Sequence, residues 1–213
     1  MNAHASAYDA LAAGDAAIVC TDTVYGLAAV PGSAGEARIF ELKQRPSSQP
    51  LPWLVGSGNA LLRYGRDVPA YALTLARTFW PGPLTLVVAA SGEAFSHGAL
   101  AADGTLALRC PDEPALLALL ARLDCPLACT SANVHGAPAP AAKAQLEPAF
   151  AQLAGYDELP EACAGGRPSS IVDCTGELPV LLREGPVPFS VVLDCALFGV
   201  TLADEDLRER TAP

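Results

Sequence analysis

Three short blocks of the sequence each place a cation where a predicted element ends. Lys43-Gln-Arg45 closes a predicted helix, while Arg109 and Arg183 each follow a predicted strand. A guanidinium presents a fork of N–H donors that matches the oxygens of carboxylate and phosphate groups. The blocks together predict a pocket for anionic ligands, although Lys43 and Arg45 considered alone would also fit a simple complement to the helix dipole.

Hydroxyl and amide side chains occupy further ends of predicted strands. Thr21-Asp-Thr-Val-Tyr-Gly26 and Ser131-Ala-Asn133 each follow a strand, and Ser169-Ser170 enters one. Loops at strand ends are where α/β proteins commonly bind ligands, so these polar groups are candidates for ligand contacts. Each block also fits an ordinary hydrogen-bonded turn, and the residues alone leave both interpretations open.

The elements that must position these blocks alternate between strand and helix along the chain. Glycine, proline and capping residues separate them; Ser33, for example, opens a capping box with Glu36. The pattern predicts the α/β (α+β) class, with one mixed, twisted β-sheet flanked by helices in a single domain over residues 1–213. Strands are predicted over 16–20, 51–55, 84–89, 105–108, 127–130, 170–174, 180–182 and 191–193, and helices over 7–13, 33–44, 69–79, 113–123 and 143–154.

The composition excludes several classes of protein. The 13 Lys and Arg residues are outnumbered by 23 Asp and Glu, and a net charge of -10 disfavours a protein that binds nucleic acid through its phosphates. No apolar window reaches the roughly 20 residues of a membrane span, and no signal-peptide pattern is found, so we expect no membrane contact and a cytoplasmic location. Seven scattered cysteines without a Cys-x-x-Cys spacing predict reduced thiols and no metal site.

The wording and order of seven blocks resemble the Sua5/YrdC family of threonylcarbamoyl-AMP synthases. The blocks follow the family's order over roughly residues 15–187, so the resemblance covers most of the chain. They are Thr21-Asp-Thr-Val-Tyr-Gly-Leu27, Lys43-Gln-Arg-Pro46, Trp80-Pro-Gly-Pro-Leu-Thr85, Leu106-Ala-Leu-Arg-Cys-Pro111, Ser131-Ala-Asn133, Ser169-Ser-Ile-Val-Asp173 and Leu181-Leu-Arg-Glu-Gly185.

This resemblance implies a YrdC-like fold with a concave, positively charged ligand cavity. It also implies that L-threonine, bicarbonate or CO2, and ATP are converted to threonylcarbamoyl-AMP and pyrophosphate, usually with Mg²⁺. Partner proteins would use the product to make threonylcarbamoyladenosine in tRNA. Little direct tRNA binding is then expected, which agrees with the acidic charge.

The resemblance also implies roles for individual residues. In this reaction a carbamate of threonine attacks the α-phosphorus of ATP, and cations must offset the repulsion between the two anions. No side chain is an obvious general base, and among the histidines only His135, beside the Ser131 block, merits a mutation. The implied residues are Lys43 and Arg45 for catalysis; Lys43, Arg45, Thr105, Ser131, Asn133 and Arg183 for ATP; Thr21, Arg109 and Ser169 for threonine; and none for a metal.

Four positions depart from the family pattern. Cys20 stands where proline is usual, Gln49 where lysine or asparagine is frequent, His135 where serine is frequent, and Ser170 where threonine is usual. The change at Gln49 leaves one phosphate contact in doubt. The chain ends soon after the last block, so we expect the short, single-domain form of the family.

The same residues also fit other functions. One is a paralogue of the YciO or HypF kind with a different carbamoyl-adenylate chemistry, against which Tyr25 and the intact Lys43-Gln-Arg45 argue. Others are a non-catalytic RNA-binding module, which the acidic charge disfavours, and a nucleotide-binding protein without turnover. The Pro- and Ala-rich stretch over 136–142 is a candidate lid over the ligand.

Overall fold

Eight strands form one sheet in the computed structural model, which describes residues 6–46, 48–97, 101–134 and 136–199. In chain order the strands are β1 (Ala17–Cys20), β2 (Tyr25–Ala29), β3 (Trp53–Leu54), β4 (Leu84–Ala89), β5 (Thr105–Arg109), β6 (Leu127–Ser131), β7 (Ser170–Asp173) and β8 (Val180–Arg183). Across the sheet their order is β1-β2-β6-β3-β5-β4-β7-β8. The pairs β3/β5 and β4/β7 are parallel and the other pairs are antiparallel, so the sheet is mixed as predicted.

Helices cover both faces of this sheet. They are α1 (Ala7–Ala12), α2 (Ala34–Lys43), α3 (Ala60–Tyr64), α4 (Ala70–Phe79), α5 (Gly92–Ser96), α6 (Pro114–Leu123) and α7 (Phe189–Phe198). Successive residues of a strand point to opposite faces, so Ile18 packs in the larger core while Val19 packs with α1 and α6 in the smaller one. The segment between β6 and β7 carries three short 3₁₀ turns, at Lys143–Gln145, Phe150–Gln152 and Tyr156–Glu158.

Most of the predicted elements are present, and the N-terminus of α2 is capped as predicted. The Ser33 hydroxyl accepts the backbone N–H of Glu36, and the Glu36 carboxylate accepts the N–H of Gly32. From this cap the helix runs to Lys43, which lies in its last turn. No described helix is long and apolar enough to cross a membrane.

Two predicted elements are wrong. The predicted strand over 191–193 lies within α7, because Pro188 starts a helix whose Val191, Val192 and Cys195 face the core. A short β-branched run cannot distinguish a buried strand from a buried helix. The predicted helix over 143–154 is two separate 3₁₀ turns, since Pro148 interrupts the helical hydrogen-bond pattern.

Candidate active site

The strand ends that carry the conspicuous polar blocks meet at one end of the sheet. β5, β6 and β8 finish there, and β2 and β7 begin there, around a cavity of about 200 Å³. The predicted site residues that line it are Thr21, Arg45, Arg109, Ser131, Ser169 and Arg183. The topology thus brings together side chains that are up to 162 positions apart in the sequence.

One wall is the turn between β1 and β2, which Thr21 holds in shape. Its hydroxyl donates to the carbonyl oxygen of Val24 at 2.7 Å and accepts the backbone N–H groups of Thr23 and Val24 at 3.1 Å each. The Thr21 side chain is buried, and its hydroxyl is committed to the turn. Thr21 therefore fixes the shape of the turn, and the Thr23 hydroxyl on this turn accepts a hydrogen bond from Arg109.

Arg109 lies at the end of β5 and crosses the floor of the cavity. Its guanidinium donates to the carbonyl oxygen of Gly82 and to Thr23 Oγ1, at 3.0 Å each, and forms a buried ion pair with Asp22. Three anchors in three different directions leave the planar group little freedom. Three of the five guanidinium N–H groups thus hold the side chain in one orientation.

The opposite wall joins β4, β7 and β8 through Ser169. The Ser169 hydroxyl lies 2.8 Å from Thr85 Oγ1 and accepts from Arg183 at 3.2 Å, while Arg183 Nε donates to the Ser169 carbonyl at 3.0 Å. Gly185 makes this approach possible, because a Cβ there would lie 2.2 Å from the backbone nitrogen of Ser170. Burial, and then the charge of Arg109, lower the pKa of Arg183.

Lys43 supports the cavity from behind. Its ammonium group donates to the backbone carbonyls of Ser131 and Asn133 and lies 3.3 Å from Asn133 Oδ1, so all its protons point at one loop. The side chain is only 2% exposed. Burial, and then the charge of Arg45, lower the pKa of Lys43 to about 8.

The Ser131 loop carries two further predicted residues. Ser131 Oγ donates to Asn133 Oδ1, and Asn133 Nδ2 donates to the carbonyls of Val134 and Ala137, at 2.9 and 2.6 Å. Ser131 lines the cavity, whereas Asn133 ties the loop to the start of the 136–142 stretch. Asn133 therefore acts on the cavity through the position of this loop.

Arg45 gives the cavity a charge that no carboxylate of the described residues pairs with. Its Nε donates to the carbonyl of Gln49 at 2.9 Å, and Nη2 reaches the carbonyl of Pro50 at 3.4 Å. Neither Arg45 nor Arg183 forms an ion pair within the described residues. After Asp22 has neutralised Arg109, two guanidinium charges remain at the cavity, with the Lys43 ammonium behind it.

Thr105 lies at the opposite end of the sheet from this cavity. It begins β5 whereas Arg109 ends it, so at about 3.3 Å per residue the two lie roughly 13 Å apart. The Thr105 hydroxyl donates to Asp103 Oδ1 at 2.7 Å. The geometry therefore gives no support to the predicted ATP contact of Thr105, while His135 lies outside the described residues.

Three residues of the site are not singled out by the sequence: Asp22, Thr23 and Thr85. Asp22 and Thr23 orient Arg109, and Thr85 contacts Ser169. All three lie inside conspicuous sequence blocks, and this position could have identified them as candidate site residues. Their roles depend on contacts between strands that are distant in sequence, and no local pattern reveals such contacts.

The described residues do not form a ready-made metal site. No group of three His, Cys, Asp or Glu residues within the described ranges is arranged to hold an ion. The side chains that line the cavity there include no carboxylate, and Mg²⁺ in proteins is usually held by one or two carboxylates together with substrate phosphates. Within the described ranges the cavity lining thus offers the predicted Mg²⁺ no dedicated carboxylate ligand.

Comparison with known proteins connects this geometry to a family. The Sua5_yciO_yrdC family model, described as "Telomere recombination", matches residues 9–185. The Bacillus subtilis protein named threonylcarbamoyl-AMP synthase is 36% identical over 170 residues, which are 78% of this chain and 49% of that protein. The chain thus spans about half the length of that relative.

Two further comparisons point to the same family. A Xanthomonas campestris threonylcarbamoyl-AMP synthase is 33% identical over 175 residues, covering 79% of this chain and 91% of the relative. The crystal structure of Pyrococcus abyssi Sua5 complexed with L-threonine superimposes with a TM-score of 0.74 at 30% identity, over 92% of this chain and 58% of that one. The match confirms the predicted YrdC-like, mixed-sheet fold.

Proposed function

The chain belongs to the Sua5/YciO/YrdC family, and we propose that it converts L-threonine, bicarbonate or CO2, and ATP to threonylcarbamoyl-AMP and pyrophosphate. The observation that carries this proposal is the cavity in which Arg45, Arg109 and Arg183 converge, with no carboxylate among its described lining residues. Such a cavity suits a reaction whose substrates are all anions or carry an anionic group. The relatives named threonylcarbamoyl-AMP synthase and the threonine bound to Sua5 support the choice of substrates.

Electrostatic stabilisation is the main contribution that this cavity can make. A carbamate and the α-phosphate repel each other, and charge builds up further on pyrophosphate as it leaves. Arg45 and Arg183 bring positive charge that the described carboxylates do not neutralise. Fixed donors in a partly buried site stabilise developing charge more strongly than water does, because they need not reorganise.

Position within the cavity suggests how the substrates divide it. Arg109, Ser169 and the Thr21 turn form its inner part, where the carboxylate and hydroxyl of threonine would be held. Arg45 and Ser131 would face the phosphates. A volume of about 200 Å³ is below the usual 300–1,000 Å³ of small-molecule sites, so the nucleoside would extend out of the cavity.

Lys43 has a different role in this proposal. Its protons are used by the Ser131 and Asn133 carbonyls, so it would hold the loop that receives ATP. The cavity lining within the described ranges includes neither histidine nor carboxylate. Positioning of the carbamate against the α-phosphorus would then supply most of the rate enhancement.

The test is product formation by the purified protein. We expect threonylcarbamoyl-AMP, detected by mass spectrometry, when ATP, Mg²⁺, bicarbonate and L-threonine are all present. Arg45→Ala and Arg183→Ala should each lower the rate at least about 100-fold, because each removes a charge-assisted contact to the transition state. Arg66→Ala is the matched control, since Arg66 is exposed and pairs only weakly with Asp67.

Two results would overturn the proposal. One is the absence of the adenylate although ATP or threonine binds. The other is an equal loss of activity in Arg66→Ala, which would show that overall charge rather than this cavity is responsible.

The fate of the product extends the same proposal. Partner proteins would accept the adenylate and transfer its threonylcarbamoyl group to tRNA, in the cytoplasm. The acidic chain supports this division of labour, because a net charge of -10 does not favour binding to tRNA.

A further inference from the structure

We propose that Cys20 and Cys163 form a reversible disulfide bond that fastens the Thr21 turn to the segment 160–166. Their Sγ atoms lie 2.8 Å apart, although the residues are 143 positions apart in the sequence. A disulfide bond measures about 2.05 Å, so the two sulfur atoms need to move less than about 1 Å. This proposal does not depend on the proposed reaction.

A small reagent can approach the pair from a second cavity. Cys20 lines a space of about 350 Å³ between α1, β1 and α6, on the other side of the Thr21 turn from the candidate active site. Cys20 is partly exposed, whereas Cys163 is 7% exposed behind it. The pair is therefore accessible to small molecules but shielded from other proteins.

Hydrogen bonding changes the acidity of the two thiols in opposite directions. The contact with the Cys20 thiol, together with a hydrogen bond from the Thr21 backbone, lowers the pKa of Cys163. The same thiol contact, followed by burial, raises the pKa of Cys20. The lowered pKa favours Cys163 as the first nucleophile and the greater exposure favours Cys20, and either order gives the same disulfide.

The oxidant we assign is a low-molecular-weight disulfide. One of the two cysteines, as its thiolate, attacks one of the sulfur atoms of this disulfide and expels a thiolate, which takes up a proton. The other cysteine loses its proton, attacks the protein-bound sulfur of the mixed disulfide and expels the second thiolate. Two thiols and one small disulfide thus become one protein disulfide and two small thiols.

The bond would tie together segments that border the candidate active site. Cys20 immediately precedes Thr21, and the backbone N–H of Cys163 donates to the Ala141 carbonyl at 2.7 Å. Three residues further on, the Gly166 N–H donates to the Thr23 carbonyl at 2.7 Å. Oxidation would therefore lock the Thr21 turn to the loops that pack against it.

A metal site or a chance contact would account for this pair of thiols less well. A metal site needs further ligands, and no cluster of three metal-ligating residues is found in the described part of the chain. If any partly exposed thiol reacted equally well, Cys125 would also form a disulfide. Cys125 is partly exposed and makes no sulfur–sulfur hydrogen bond within the described residues. Cys125 is therefore the matched control.

The experiment maps thiols in the intact folded protein. The chain is incubated with oxidised glutathione, the remaining thiols are alkylated after denaturation, and peptides are identified without reduction. We expect a Cys20–Cys163 cross-linked peptide and five alkylated cysteines out of the seven, reversed by dithiothreitol. Cys125→Ser should give the same cross-link, and Cys163→Ser should abolish it.

Three outcomes would overturn the proposal. These are seven alkylated cysteines, glutathione attached to Cys20 or Cys163 without a cross-link, or Cys20 joined to a different cysteine. The wild-type result decides the matter even if Cys163→Ser fails to fold.

Discussion

At the scale of single residues, this acidic protein keeps its cations in place in two ways. Arg109 is held by a carboxylate, Asp22, in an ion pair whose side chains are less than 10% exposed. Lys43 is held by neutral carbonyl oxygens of the Ser131 loop. The first arrangement cancels charge at the cavity, whereas the second keeps it. Stability and pH dependence should therefore respond differently at the two positions.

Asp22→Asn should destabilise the fold. Removing one partner of a buried ion pair leaves the other charge uncompensated, which costs about 3–5 kcal/mol. The exposed pair between Arg38 and Asp15 is the control, and Arg38→Gln should cost less than about 1 kcal/mol. Urea denaturation monitored by circular dichroism measures both free energies of unfolding. Equal losses in the two variants would contradict the role assigned to Asp22.

Lys43 should give catalysis an alkaline limit. As the pH rises through about 8, the folded-state pKa of Lys43, the ammonium loses one of the donors that hold the Ser131 and Asn133 carbonyls. kcat/KM, which reports the free enzyme, should therefore fall above this pH. The control is Cys163→Ser, because hydrogen bonding to Cys20 lowers the pKa of the Cys163 thiol. A wild-type profile that stays flat well above pH 8, or a fall abolished in Cys163→Ser, would exclude Lys43.

The sequence predicts which residues belong to the site, but it does not predict which atoms their side chains contact. The blocks around Lys43, Arg109 and Arg183 stand out because cations are scarce in the chain. What Lys43 and Thr21 contact could not be predicted, because their partners come from a strand end 88 positions away or from the turn's own backbone. The ATP contact predicted for Thr105 stays a prediction, and the length of β5 separates this residue from Arg109.

At the scale of elements, the site depends on strands that end together and on the close approach of β7 and β8. Elements with clear periodicity or capping, such as β4 and α2, lie within one residue of the bounds expected from the sequence. β2 could not be predicted, because Tyr25-Gly-Leu-Ala-Ala29 lacks β-branched residues; pairing with β1 and β6 makes it a strand. The sequence over 191–193 fits a strand as well as it fits part of α7, because only the packing of this segment distinguishes a buried strand from a buried helix.

Gly185→Ala should separate β8 from β7. The added Cβ would lie 2.2 Å from the Ser170 nitrogen and 2.4 Å from the Ser169 carbonyl carbon, both backbone atoms that cannot move aside freely. We expect a loss of roughly 1–3 kcal/mol in stability and a raised KM for threonine, since Ser169 and Arg183 shift. Gly92→Ala is the control, because no atom lies within 4 Å of its Cβ position. Thermal denaturation and steady-state kinetics decide, and an unchanged KM in Gly185→Ala would contradict this dependence.

At the scale of the whole molecule, a net charge of -10 coexists with a cavity lined by three arginines. We therefore expect the net charge to disfavour polyanions and the guanidinium groups of the cavity to favour small anions. The fold class and the mixed sheet could be predicted from the alternating pattern and the order of the blocks. The extent of the cavity could not, because it depends on how the ends of several strands converge in one eight-stranded sheet.

tRNA binding should be weak. The protein should produce no mobility shift of tRNA at micromolar concentration and physiological salt, because few surface cations are available to release counterions. A tight shift with a steep salt dependence would instead support an RNA-binding role. Filter binding at several salt concentrations gives an independent measure of the same affinity.

The most direct test of the central claim is pyrophosphate release from ATP, Mg²⁺ and bicarbonate, measured with and without L-threonine. We predict release that requires threonine and is lost in Arg183→Ala, because this reaction needs both the amino acid and the cationic cavity. Release that is equal without threonine, or unaffected by Arg183→Ala, would contradict the assignment of a threonine-dependent adenylate-forming reaction to this cavity.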